Sequence, residues 1–298
     1  MIFNSLDSIP KTYGNKKKPP CSHTRTRSNM MLNPLQIKHL NRIDRSDSDM
    51  ITLNLEDAIA PSRKKEALHN IALFLSYMEH SQSFIIVRIN PLHEGGKEEI
   101  EFLNDFSFDA IRVPKIESIT QIKQALCLLN QEKKLHISLE TKEALDALHT
   151  FGIDPRVTTA NLGILDLLTS LKLPQSIVTL RNPTIDYILS KFLVDSKIAG
   201  IHPISFMFQE YNDTDTFQHW CKYEKDMGFI SKACMGPKQV AIANAVFTTD
   251  KDALVRAKYI KKAFERESAN NNNGFMDETY GFIDEPIYKD SLLILNHI

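Results

Sequence analysis

The stretch Leu135-His136-Ile137-Ser138-Leu139-Glu140 decides how the chain is read. It is a short apolar run closed by a carboxylate, and helical sequence takes over from Thr141 to His149. A second run repeats the design. Val157 to Leu162 reads as a strand, Gly163-Ile164-Leu165-Asp166 as a loop, and Thr184 to Phe192 as a helix. Short apolar runs that alternate with stretches of helical period are the mark of βα units on a parallel sheet. A carboxylate at the C-terminal end of such a strand is a poor core residue and a good ligand for a hard cation.

The same alternation extends in both directions. Phe84 to Ile89 is apolar without alternation, as expected of a strand buried on both faces. Met30 to Leu32, Met50 to Leu55 and Ala110 to Val113 precede the opening stretch, and Ile198 to Ile201 and Phe229 to Ala233 follow it. Helical segments are expected over Pro34 to Asp44, Pro61 to Met78, Ile119 to Asn130 and Thr214 to Met227. Eight strands in this alternation predict an α/β fold, a (β/α)8 TIM barrel over residues 29–247. Residues 1–28 hold Pro10, Pro19, Pro20 and Lys16-Lys17-Lys18 with little periodicity, and predict a flexible extension. Residues 248–298 predict a C-terminal helical extension. Its strong helix, Lys251 to Ser268, carries Leu254, Ala257, Ile260, Ala263 and Phe264 at helical spacing. A barrel closes without this tail, so it is expected to pack on the barrel or on a neighbouring subunit.

Composition narrows the function. A net charge of −1 in 298 residues gives no basic stripe for nucleic acid or a membrane surface. Cys21, Cys127, Cys221 and Cys234 form no CxxC pair, which excludes a zinc framework and fits a reducing, cytoplasmic location. There is no apolar run of spanning length and no signal-peptide core near the N-terminus.

In a parallel barrel the chemistry sits at the C-terminal ends of the strands. The polar residues that follow apolar runs are Glu56 and Asp57, Arg88, Lys115 and Glu117, Glu140, Asp166, and Lys232 or Cys234. Each has an ordinary structural account: Glu140, for instance, could simply favour the dipole of the helix that follows it. Their recurrence on several strands points to one site. Paired carboxylates without a His/Cys cluster suit Mg²⁺, with Mn²⁺ as its substitute, so Glu140 and Asp166 are the expected metal ligands. Arg88 offers a planar fork for a carboxylate or an enolate oxygen. Lys115 could alternatively act as a Schiff-base lysine. His202, by contrast, reads as structural or substrate-adjacent.

These residues carry a resemblance. Leu53-Asn54-Leu55-Glu56-Asp57-Ala58-Ile59-Ala60-Pro61-Ser62-Arg63-Lys64 resembles the "LDLEDAVAPxxK" signature of the citrate lyase β subunit-like group of the HpcH/HpaI aldolase superfamily. Val87-Arg88-Ile89-Asn90-Pro91 resembles "VRINP", Val113-Pro114-Lys115-Ile116-Glu117-Ser118 "LPKVES", Leu139-Glu140-Thr141 "IET", and Gly163-Ile164-Leu165-Asp166-Leu167 "GxxDL". Near the end, Gly281-Phe282-Ile283-Asp284-Glu285-Pro286 resembles "GxMIDxP". The resemblance implies a Mg²⁺-dependent barrel, usually a trimer, that makes or breaks a C–C bond beside a thioester such as citramalyl-, malyl- or citryl-CoA. It implies Glu140 and Asp166 as metal ligands, with Glu140 also near the substrate, and Arg88 on the substrate or enolate oxygen. It places Glu56 and Asp57 behind the metal, and brings Asp284 from a neighbouring subunit as the acid/base group.

Three blocks depart from the pattern. Asn33-Pro34 stands where Pro-Gly is usual, Met235-Gly236-Pro237-Lys238-Gln239 where "IHPSQ" is usual, and Thr169-Ser170-Leu171-Lys172 where "xxDLG" is usual. All three alter the rim of the pocket. Two alternatives therefore stand beside the thioester lyase: a class II aldolase acting on a free keto acid, and a non-catalytic family member serving as a complex subunit.

Overall fold

The computed structural model describes residues 1–23 and 25–296. Thr24, in the expected N-terminal extension, and residues 297–298, at the end of the C-terminal one, lie outside the described residues. Eight parallel strands form one sheet: β1 Ser28–Leu32, β2 Met50–Asn54, β3 Phe84–Arg88, β4 Ala110–Val113, β5 Lys134–Leu139, β6 Val157–Leu162, β7 His202–Ile204 and β8 Lys232–Cys234. Each strand pairs with its sequence neighbour from β1 to β7, and β8 returns to pair with β1. The two remaining edges, β7 and β8, are joined by a Ser205–Lys232 bridge. Ser205 N donates to Ser231 O at 3.3 Å and Ala233 N to Ser205 O at 3.1 Å, so the sheet closes as the expected (β/α)8 barrel.

Alternation along the strands sorts the side chains. In β3, Ile85 and Val87 join the core between sheet and helices, whereas Ile86 joins Met50, Ala110, Ile204 and Ala233 in a separate apolar cluster. The same parity places Arg88 above Ile86, Asn54 above Met50 and Arg112 above Ala110. The helix layer is α1 Ile37–Leu40, α2 Lys64–Tyr77, α3 Lys97–Leu103, α4 Ile119–Leu128, α5 Lys142–Ala147, α6 Ile164–Ser170, α7 Pro183–Ile198, α8 Thr214–Met227 and α9 Pro237–Phe247. Among the described residues no helix is long and apolar enough to cross a membrane.

The structure corrects four readings. Asp166 lies on the first turn of α6, not on a loop, because Ile164, Leu167 and Leu168 bury one helical face there. The seventh strand is His202–Ile204 rather than Ile198 to Ile201. Ile198 ends α7, and Gly200 at φ +68° turns the chain. The eighth strand likewise starts later, at Lys232.

Residues 1–21 are not loose. Phe3 is 7% exposed and packs edge-on against Phe74 at 4.9 Å, with its N–H on Asn41 Oδ1 at 2.7 Å. Tyr13 Oη lies 2.9 Å from His69 Nδ1, and Lys16 N donates to Ser76 O at 2.8 Å. Lys18 Nζ is buried on the Asp109 carboxylate, 2.8 Å from Oδ2. This strap has no period because its contacts are made singly at irregular spacing, three of them on α2 and the others on Asn41 and Asp109.

By contact the chain separates into two compact units, one holding residues 1–21 and 26–247, the other the described residues of 22–25 and of 248 onward. The second contains α10 Lys251–Ser268, an antiparallel hairpin of β9 Gly274–Asp277 and β10 Gly281–Asp284, and α11 Glu285–Asn296. Its small core is Ile260, Phe264 and Ile283.

Candidate active site

The site is assembled where β2 to β6 end. Asn54, the last residue of β2, accepts Arg88 Nε at 2.6 Å and the Glu56 N–H at 3.2 Å on its Oδ1. That fixes the orientation of the Arg88 guanidinium at the end of β3. Arg88 Nη2 then lies 2.9 Å from Glu56 Oε2, and Nη1 lies 3.8 Å from Glu140 Oε1. Lys115, held at φ +51° just after β4, reaches Glu56 Oε1 with its Nζ at 3.1 Å and Glu140 Oε2 with its N–H at 3.2 Å. Glu140 follows β5 directly and is 2% exposed. Its approach depends on Gly163, after β6: a Cβ there would lie 2.4 Å from Glu140 Cγ.

These groups open onto a cavity of about 390 Å³, lined by Asn54, Asp57, Arg88, Arg112, Glu140 and Asp166 among others. Its electrostatics follow from burial. Desolvation pushes the Glu140 carboxyl up, and Glu56 and Asp166 add to this against Arg88 and Arg112, so it stands above the ordinary carboxylate range. Burial would raise Glu56 too. Arg88, the Asp57 side chain and N–H, and Lys115 outweigh it and hold Glu56 down to about 2. Asp57 shows the complementary effect: burial, its contact with Glu56 and the Glu56 charge push it up to about 6.

The structure therefore brings Asp57, Arg88, Glu140 and Asp166 to one cavity, with Glu56 paired to Arg88 and Lys115 in contact with both Glu56 and Glu140. Asp284 lies in the smaller unit, where its Oδ1 accepts the Ile287 N–H at 3.2 Å and starts α11. Other candidates fall away. Lys232 is fully buried, 2.5 Å from Glu224 Oε1 and 3.6 Å from the centre of the Phe206 ring. Cys234 is buried, Glu117 is exposed outside the cavity lining, and His202 Nε2 lies 2.6 Å from Ser231 Oγ.

Sequence reasoning passed over Arg112, Asn54 and Asn161, because it weighed residues after the apolar runs rather than within them. The parity of each strand was the signal: Arg112 stands in register with Arg88, and Asn161 with Ser138.

The donor set can be tested against a hard cation. Among the described residues no three of His, Cys, Asp and Glu come together as a ready-made cage. Glu140 and Asp166 do share one cavity, and Mg²⁺ takes one or two carboxylates and completes its shell with water and substrate oxygens. The unfavourable charge that Asp166 places on buried Glu140 is of the kind that a cation between them would relieve. The residues fit the ion.

Residues 27–237 match the family described as HpcH/HpaI aldolase/citrate lyase. The chain belongs to that family. Among its relatives is a (3S)-malyl-CoA thioesterase of Cereibacter sphaeroides, 27% identical over 222 residues, which are 73% of this chain and 75% of that one. An L-malyl-CoA/β-methylmalyl-CoA lyase of Rhodobacter capsulatus is 27% identical over 256 residues, 76% of this chain and 80% of the lyase. A citrate lyase subunit β of Leuconostoc mesenteroides is 24% identical over 255 residues, 80% of this chain and 82% of the subunit.

Solved structures share the fold. A citrate lyase from Burkholderia xenovorans superposes with a TM-score of 0.77 at 15% identity, covering 90% of each chain. CitE from Mycobacterium tuberculosis, in complex with magnesium, acetoacetate and coenzyme A, gives 0.72 at 16% identity, covering 92% of this chain and 98% of the other.

Proposed function

We propose that this protein is a Mg²⁺-dependent carbon–carbon lyase, or the corresponding Claisen-type condensing enzyme, acting on a short hydroxyacyl-CoA thioester. One observation carries the reading: buried Arg88 is oriented by Asn54 and Glu56 toward a cavity that it shares with Glu140 and Asp166. The relatives named as a malyl-CoA lyase and a citrate lyase subunit support the same reaction class.

In the cleavage direction the bond between the carbinol carbon and the carbon next to the thioester breaks. The hydroxyl loses its proton to a base, and the electron pair passes to the thioester as an enolate. The products are a keto acid and, after protonation, a shorter acyl thioester. Glu140 and Asp166 would hold Mg²⁺, which supplies Lewis-acid polarisation of the oxygen that becomes the keto group. Arg88 places its guanidinium on the oxygen where negative charge develops, in a site too buried for water to screen it. Glu56, ionised between Arg88 and Lys115, keeps both cations in place. Asp284 is proposed as the proton-moving group, supplied by a neighbouring copy of the chain in a cytoplasmic trimer.

The test is direct. Malyl-, citramalyl- and citryl-CoA are incubated with the protein and Mg²⁺, and released keto acid is measured. Glu140→Gln should lose Mg²⁺ binding and keto-acid release together. Release from none of the thioesters, or full release by Glu140→Gln, would sink the proposal.

A further inference from the structure

Two polar side chains on the cavity wall take no part in the chemistry above. Arg112, on β4, is 5% exposed and lines the cavity. Its Nε donates to Ser138 Oγ at 2.7 Å. Glu140 Oε1 stands 4.0 Å from Nη2, beyond hydrogen-bond reach. Neither terminal nitrogen of this buried guanidinium donates a hydrogen bond to the described residues. Asn161, on β6, is 2% exposed and lines the same cavity. A relay fixes its amide: Thr52 Oγ1 donates to Asn29 Oδ1 at 2.8 Å, and Asn29 Nδ2 donates to Asn161 Oδ1 at 3.1 Å. The relay ends on Asn161 Nδ2, which is buried and finds no acceptor among the described residues.

Strands β4 and β6 flank β5, and Ser138, which receives Arg112, is the in-register neighbour of Asn161. The two residues thus stand on the strands either side of β5 and line one cavity. Buried donors without acceptors are costly, and a binding site retains them when its ligand supplies the acceptor. The charges point the same way. Arg88 and Arg112 are cross-strand neighbours, and Arg88 is already matched by Glu56. With Glu140 engaged by a cation, Arg112 is left without an anion of its own. A carboxylate meets a guanidinium with two parallel hydrogen bonds and can accept a further one from an amide.

We propose that Arg112 and Asn161 form a carboxylate subsite on the β4–β6 wall, which selects substrates bearing a second carboxylate besides the one held at the cation. Burial and the neighbouring Arg88 pull Arg112 down to about 9, a depression that a bound anion would reverse. The proposal deepens the lyase reading by naming the acyl class: a hydroxyacyl group that releases a dicarboxylic keto acid.

The test needs no turnover, so its failure is separable from failure of the lyase reading. (S)-Lactate and (S)-malate differ by the second carboxylate, and their dissociation constants are measured by calorimetry on the full chain with Mg²⁺ present. The wild type should hold malate about tenfold or more tighter than lactate, the gain of a charge-assisted bidentate pair. Arg112→Leu and Asn161→Ala should each shrink that ratio while leaving lactate affinity within about threefold, and Arg112→Lys should restore part of it. Equal affinity for the two acids in the wild type would overturn the subsite, whatever the variants do. So would an Arg112→Leu or Asn161→Ala protein that weakens both acids alike. Asn161→Ala, a smaller change than Arg112→Leu, keeps the question decidable should the arginine variant fail to fold.

Discussion

Arg88 has three polar neighbours in three directions, and each takes a different nitrogen: Nε to Asn54, Nη2 to Glu56 and Nη1 toward Glu140. A lysine carries the charge but cannot span that fork. Arg88→Lys should therefore lower kcat by about 10²–10³-fold while the melting temperature changes little, measured as keto-acid release at saturating thioester. His136 gives a second prediction. It is buried, stacked on Phe84 with ring centres 5.6 Å apart, and its Nδ1 has no hydrogen-bond partner among the described residues. Burial, then Arg112 and His202, pull it down to about 3. The unfolded histidine titrates near 6.5, so below that pH the unfolded chain binds a proton that the folded one refuses, and stability falls as pH falls. Between pH 6.5 and 5 this group alone should cost about 2 kcal/mol. Denaturant titrations of wild type and His136→Leu at both pH values check it; equal losses in the two proteins would remove His136 as the cause. Arg88 was legible in the sequence because it ends an apolar run. Arg112 and His136 were not, because each sits inside a run where only the two-residue alternation of the strand tells barrel interior from helix layer.

At the level of elements, the junction between β6 and α6 decides whether the two carboxylates can meet. Gly163 is needed there for closeness rather than for backbone freedom: its φ of −91° is open to any residue, but a methyl group would strike Glu140. Gly163→Ala should destabilise the fold by about 1–3 kcal/mol through overpacking. It should also weaken Mg²⁺ binding by about 10–100-fold through displacement of Glu140, read by calorimetry. Unchanged Mg²⁺ affinity would mean that Glu140 is not a ligand. The βα rhythm made most elements readable, since apolar runs such as Phe84–Arg88 have no other account. The last strands were shifted because Ile198 is the exposed last residue of α7 and Phe229 packs on Phe192 of that helix, and composition does not separate either from strand. The Lys232–Glu224 pair between β8 and α8 could not be seen at all. A buried lysine is recognised by its partner, and that partner stands eight residues earlier on a different element.

At the level of the molecule, the barrel was predictable from eight alternations, whereas the strap of residues 1–21 was not. Its stability rests on single contacts, the most consequential being Lys18 on Asp109, whose oxygens also accept the Ile85 and Cys21 N–H groups. Lys18→Met leaves that carboxylate buried without its cation and should cost about 3–5 kcal/mol, measured by denaturant unfolding. A loss below about 1 kcal/mol would mean that the carboxylate is satisfied by its N–H donors alone. The strap also has a bearing on how the chain is made. Lys18 and Asp109 are 91 residues apart, and a nascent chain leaves the ribosome N-terminus first. Residues 1–21 have no complete set of partners until α2, α3 and Asp109 have been synthesised. Their docking therefore waits for the first half of the barrel, and any cut or fusion upstream of Ser22 acts on that step.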